Sequence, residues 1–155
     1  MCSVSRSACR AALRGYTLIE ILIALAIVAI LASLAVPTFF DSIRKGRRSE
    51  AVAALSAVQQ AQERRRANTS AYTTDLALLG LPEQTANGHY SIAIDAANAA
   101  NYTVTATAAG TQASDTPCIT MRVQLIGANI LYGSACKTCT LATPLTDPNR
   151  CWSRQ

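Results

Sequence analysis

Twenty consecutive residues, Ile21 to Phe40, carry no charge, and an acidic side chain, Glu20, stands immediately before them. No other feature of the chain restricts its folding as strongly. As a helix rising about 1.5 Å per residue, the segment covers roughly 30 Å, the thickness of a bilayer's hydrocarbon core. A carboxylate at the mouth of such a segment is costly without a partner, so Glu20 calls for a functional explanation. The remainder of the 155 residues suffices for one small domain, and a core of that size gains from covalent staples.

The segment order upstream is unusual. Residues 1–15 are short, basic and polar, with Arg6, Arg10 and Arg14. A secretory signal places its apolar region before the cleavage point. Here a cut after Gly15 precedes the apolar run, so it removes the leader and leaves the membrane helix on the mature chain. Cys9 follows polar residues and does not read as a lipid-attachment site. Losing the three leader arginines lowers the net charge from +5 to +2. Beyond Asn68 the chain is nearly neutral, so its basic pI does not indicate a nucleic-acid-binding head. Positive residues flank both ends of the apolar run (Arg44, Lys45, Arg47 and Arg48 beyond it), so counting them does not orient the span.

The helical pattern continues past the apolar run. Pro37 is expected to kink it, because proline removes one backbone hydrogen bond and crowds the carbonyl four residues back. From Ser49 to Ala67, Ala51, Ala54, Leu55, Val58 and Ala61 recur at helical spacing, with Glu50, Gln59, Glu63 and Arg66 on the opposite face. A helix from Tyr16 to about Ala67 is roughly 78 Å long. Thr69–Gly88 reads as a loop with one short helical turn closed by Gly80 and Pro82. Four strands follow, over His89–Asp95, Tyr102–Ala108, Cys118–Ile126 and Ile130–Gly133. Their period-two alternation predicts a sheet with one dry face, laid against the Ala51/Leu55/Val58 stripe, and one wet face.

Four cysteines, Cys118, Cys136, Cys139 and Cys151, lie in the last quarter. In a small exported domain they read as disulfides. They permit three pairings, and the spacing alone selects none. A redox-active Cys136-Lys137-Thr138-Cys139 and a zinc site built from all four thiolates are the alternatives, against which the absence of a surrounding βαβ unit and the single CxxC argue. His89, the sole histidine, reads as a turn or strand-edge residue. No paired acid and histidine make a serine nucleophilic, and no glycine-rich phosphate loop appears. The sequence offers no catalytic residues, no metal ligands and no cofactor site, which argues against an enzyme. Arg64-Arg65-Arg66 and the Arg44–Arg48 cluster read as solvated helix faces or inter-subunit charge partners, the latter also able to meet lipid phosphates. Arg122, Lys137, Arg150 and Arg154 are thin for a phosphate-tracking surface. Trp152 reads as packing beside a bridge.

The leader ending in Gly15, the following Tyr16-Thr17-Leu18-Ile19-Glu20, the apolar helix, Pro37 and the small sheet together resemble a type IV pilin precursor. Arg47-Arg48-Ser49-Glu50-Ala51, Gln62-Glu63-Arg64, Ala71–Leu76 and Cys151-Trp152 are similar to the PilE-type minor pilins, with the ComP-like DNA-binding minor pilins as relatives. The resemblance implies an α+β fold: a long kinked helix packed on a four-stranded antiparallel sheet, with a disulfide-bounded C-terminal loop. It implies a leader at 1–15, a transmembrane and assembly helix at 16–40 and an exported head at 41–155. A prepilin peptidase would cut between Gly15 and Tyr16 and methylate the new amine of Tyr16. The usual residue there is Phe. A Cys118–Cys151 bridge would close the C-terminal loop, with Cys136–Cys139 a smaller ring inside it.

After such a cut, the Tyr16 amine of one subunit and the Glu20 carboxylate of a neighbour can neutralise each other in a bundle of helices. A buried charge lacking its partner costs about 3–5 kcal/mol, so Glu20 sets register in an otherwise non-specific apolar interface. The plainer reading is that Glu20 favours a helix N-terminus, worth roughly 0.3–1 kcal/mol. The expected function is a structural, minor subunit of a type IV pilus supporting assembly, twitching motility, adhesion or DNA uptake. The implied partners are other pilin subunits, the prepilin peptidase, the inner-membrane assembly machinery and membrane lipid before assembly. The implied location is the bacterial inner membrane as a single-pass precursor, then the extracellular pilus. Two alternatives remain: a pilus-displayed DNA receptor, and a type II secretion pseudopilin, against which the paired cysteines and the lack of an Asp-rich calcium loop argue.

Overall fold

The computed structural model describes residues 15–137, 139, 151 and 152. The leader residues before Gly15, residues 140–150 of the C-terminal loop, and Arg154 lie outside the described residues. The chain divides into two compact units, Met1–Thr38 and Phe39–Gln155.

Helix α1 spans Leu18–Thr69, and its helical assignment continues through Pro37. Thr17 starts it: the amide of Glu20 donates to Thr17 Oγ1 at 3.3 Å, and the amide of Ile21 donates to the Thr17 carbonyl at 3.3 Å. Threonine followed three residues later by glutamate is the sequence signature of a capping box, and Thr17 Oγ1 satisfies one of the amides that a helix start leaves unbonded. Every large apolar side chain from Leu18 to Phe40 is exposed, on all sides of the helix. The hydroxyl of Ser33 donates to the Ile30 carbonyl at 2.7 Å, so this polar group is satisfied within the helix.

The second unit is built on a meander of four antiparallel strands in the order β1-β2-β3-β4: β1 Tyr90–Ala97, β2 Asn101–Ala108, β3 Thr120–Ile126 and β4 Asn129–Ala135. Alternation holds as expected from the residue pattern. Tyr90, Ile92 and Ile94, Tyr102, Val104 and Ala106, and Met121, Val123 and Leu125 are buried together with Ala51, Leu55 and Val58 of α1. Fully burying one such aliphatic side chain contributes about 1.5–3 kcal/mol, so the stripe–sheet contact is the main stabilising element of the head. A bulge between Ile94 and Ala96 leaves Asp95 unpaired in the ladder. It sets the carboxylate on the wet face, where Asp95 accepts from Thr105 Oγ1 and meets Arg122 at 3.4 Å. The β3–β4 hairpin turns at Gly127-Ala128, with Gly127 at φ +61°, the left-handed value that suits glycine at the first position of a tight hairpin loop.

Two expectations need correction. Cys118 does not start a strand. Pro117 lacks an amide donor and fixes its own φ, so Thr116–Cys118 forms a 3₁₀ turn and β3 begins at Thr120. Nor is Arg66, read within a solvated helix face, left to solvent: it bonds to Tyr72 of the loop after α1, and Glu63 and Glu50 likewise bond to loops of the head. Gln62, next to that stripe, is wholly buried. Its Nε2 donates to the Thr73 carbonyl at 2.6 Å and its Oε1 accepts from the Thr73 amide at 3.0 Å, so one side-chain amide pins the loop after α1.

Two disulfides close the C-terminal region. Cys118–Cys151 joins residues 33 apart in sequence, with Cα atoms 5.7 Å apart, and Cys136–Cys139 joins residues three apart. Chain entropy assigns the long loop about 4 kcal/mol and the short ring about 2 kcal/mol. The bridges replace the zinc alternative, since the sulfurs bond to each other. Trp152 packs beside the long bridge as expected. Its indole N–H donates to the Gly133 carbonyl at 3.0 Å, and its ring meets Tyr132 edge-on with centroids 4.9 Å apart.

Candidate functional site

Gly15, Tyr16 and Thr17 lie ahead of the first helical turn, and Tyr16 is 79 % exposed. The Gly15–Tyr16 peptide therefore stands outside helical structure. Glu20 is exposed within the first turn of α1. Its backbone amide takes part in the Thr17 cap, and its side chain is open to solvent. The Thr17 cap was legible in the sequence as Thr-x-x-Glu but is missed when Glu20 is considered only as a charge. Beyond it, the span Ile21–Phe40 has the length and hydropathy of a membrane-crossing helix.

The base of the outer helical half is fixed to the head by a buried polar cluster. Arg48 Nε donates to Asp115 Oδ2 and Arg48 Nη2 to Asp115 Oδ1, each at 2.7 Å, a two-pronged pair. Gln112 Nε2 shares its two hydrogens among Asp115 Oδ2 at 2.9 Å, the Tyr90 hydroxyl at 3.1 Å and the Arg44 carbonyl at 3.1 Å. Asp115 and Gln112 are buried, and the bond to Asp115 raises the Arg48 pKa against the opposing effect of burial. Arg48 is therefore no solvated face, correcting the sequence reading. Arg47 bonds to Thr111 of the same loop at 2.9 Å. No local pattern marks Asp115 as the partner of Arg48, because the two are 67 residues apart.

His89 stands just before β1, as expected for a turn or strand-edge residue, with its Nδ1 3.0 Å from Glu50 Oε1. Asn87 Nδ2 donates to the same oxygen at 2.8 Å. Burial pushes the Glu50 carboxyl up, but the Asn87 and His89 bonds outweigh it and hold the pKa below the ordinary value. Beside this cluster an apolar groove of about 300 Å³ runs between α1 and the loop from Leu81 to Asn87, floored by Ala54, Val58 and Ile92. Among the described residues, no three His, Cys, Asp or Glu side chains gather where they could hold a metal.

The basic residues of the head are dispersed. Arg122 is drawn to Asp95 and Thr105 on the sheet's wet face, and Arg66 bonds to the Tyr72 hydroxyl at 2.7 Å with its guanidinium 5.0 Å from that ring. Arg64, Lys45 and Lys137 are exposed.

Comparison with known proteins matches both parts of this architecture. Residues 11–36 match the prokaryotic N-terminal methylation motif. Residues 37–122, more than half of the chain, match the family described as type IV minor pilin ComP, DNA uptake sequence receptor. The type IV wide pilus major component PilA4 of Thermus thermophilus is 34% identical over 88 residues, which cover 55% of this chain and 67% of that protein. With a methylation motif leading into an exposed apolar helix and a minor-pilin match across the head, the chain belongs to the ComP family of type IV minor pilins.

Proposed function

We propose that this minor pilin is a non-enzymatic subunit held in the inner membrane through Ile21–Phe40 and then drawn into a type IV pilus through the same segment. A prepilin peptidase cuts between Gly15 and Tyr16 and methylates the Tyr16 amine. In the fibre, Glu20 of one subunit meets the Tyr16 amine of another and sets their register, and Pro37 gives the packed helices a bend. The other partners are further pilin subunits and the inner-membrane assembly machinery. One observation carries this reading: the large apolar side chains from Leu18 to Phe40 are exposed on every side of the helix. A helix that is apolar all round is stable only in lipid or within a bundle of its own kind. Intact mass of the chain isolated from cells tests the processing. The expected mass begins at Tyr16, adds one methyl group and lacks four hydrogens for two disulfides. A mass that begins at Met1 contradicts the reading.

A second reading, display of a DNA receptor on the pilus, is favoured by the description of the family matched over residues 37–122. Among the described residues, Arg64, Lys45 and Lys137 are the exposed cations from which such a surface would be built. Gel-shift titration of the detergent-solubilised chain over a range of salt concentrations decides it. Binding whose affinity falls steeply with salt supports a receptor, and no retardation at low salt removes it.

A further inference from the structure

The two disulfides have opposite environments. Cys118 and Cys151 are buried in the core cluster, beneath the loop that carries Pro117 and beside Trp152. Cys139 is exposed and Cys136 half-buried. The small ring hangs from the end of β4, where the Lys137 amide donates to the Thr116 carbonyl at 3.1 Å and the Cys139 amide to the Cys136 carbonyl at 3.2 Å. A thiolate opens a disulfide only if it can reach one sulfur in line, so access decides which bridge exchanges. Cys139 is the more exposed of the two sulfur-bearing residues, so an incoming thiol reaches it first.

We infer that the Cys136–Cys139 bridge is a thiol-exchange site, a point of reversible covalent attachment for small thiols, while Cys118–Cys151 stays closed. The incoming thiolate attacks Cys139 Sγ. A bond forms between its sulfur and Cys139 Sγ, the Cys136–Cys139 bond breaks, and its electron pair leaves on Cys136 Sγ as a thiolate. With only two residues between the sulfurs, Cys136 remains close enough to attack the mixed disulfide, expel the small thiol and reclose the ring. A second small thiol attacking instead releases the oxidised dimer and leaves Cys136 and Cys139 reduced, the two electrons coming from the two small thiols. The β-meander keeps its long-loop staple throughout.

The test uses the wild-type full chain in detergent micelles, exposed to increasing reduced glutathione, quenched in acid, alkylated with iodoacetamide and mapped by peptide mass spectrometry. The expected result is alkylation of Cys136 and Cys139 at a glutathione concentration at least tenfold below that which opens Cys118 and Cys151. Opening of both bridges together, or of Cys118–Cys151 first, overturns the inference. In a second arm, Cys136→Ser is incubated with oxidised glutathione. Without its resolving thiol, Cys139 is expected to retain one glutathionyl group. Absence of the adduct, with Cys118–Cys151 intact in the same sample, counts equally against it.

Discussion

The two halves of α1 obey the same helical geometry and meet opposite fates. From Ala51 to Ala61 the apolar residues form one stripe, and the sheet covers it: Ala51, Leu55 and Val58 are buried against Tyr90, Val104 and Met121. From Ile21 to Phe40 they occupy every side, and among the described residues all the large ones are exposed. A stripe can be satisfied by one partner from the same chain, whereas an all-round apolar surface needs a medium or several neighbours. The outer half is therefore a folding element, and the inner half is the element proposed above for assembly. Sequence pattern separates them before any coordinate does.

The sharpest challenge to the outer half is the removal of its polar anchor. Arg48→Ala leaves the buried Asp115 carboxylate facing Gln112 without its cation. Unfolding by denaturant, followed through Trp152 fluorescence in detergent, is expected to show a loss of about 3–5 kcal/mol. A loss below 1 kcal/mol would mean that the loop holds the helix by other means. The comparison of halves is tested directly by two matched truncations. Leu55→Ala empties a fully buried site and is expected to cost the head about 2–5 kcal/mol, whereas Leu31→Ala, 61% exposed, is expected to change head stability by no more than about 0.5 kcal/mol. Equal losses would break the distinction.

A smaller effect is read in the alkaline limb of stability. Burial is the chief cause that pushes the Tyr102 phenol up to about 12, from an ordinary value of 10.0. The folded state therefore holds the phenol's proton more tightly than the unfolded state. The resulting stabilisation is complete below pH 10 and is lost as pH rises from 10 toward 12. Burial likewise raises Tyr72 and Tyr90, so they add to the same limb. Tyr102→Phe is expected to flatten the fall between those two pH values, measured by denaturant midpoints across the range. An unchanged slope would show that Tyr102 is not the titrating group.

Much of this architecture was legible because it is periodic. The apolar run, the Ala51/Leu55/Val58 stripe and the alternation of Tyr90-x-Ile92-x-Ile94 each repeat at the spacing of their element, so neighbouring residues carry the signal. The start of β3 was misplaced because Pro117 overrides the alternation that runs through Cys118. The Arg48–Asp115–Gln112–Tyr90 cluster and the Gln62–Thr73 clamp were not legible, since each depends on tertiary proximity of residues with no local motif. The residues proposed for processing, Gly15 and Tyr16, and Glu20, proposed for assembly, were picked out by their order along the chain, and the structure adds the Thr17 cap at the helix start that holds Glu20.

The proposed role of Glu20 is tested most directly by the yield of Glu20→Gln in sheared fibres, measured against its yield in the inner membrane of the same cells. Glutamine keeps the helix and the membrane span but cannot neutralise a neighbour's terminal amine. The account predicts normal membrane levels, normal trimming at Tyr16, and at least a tenfold loss from the fibres. Incorporation equal to that of the unaltered chain would contradict it.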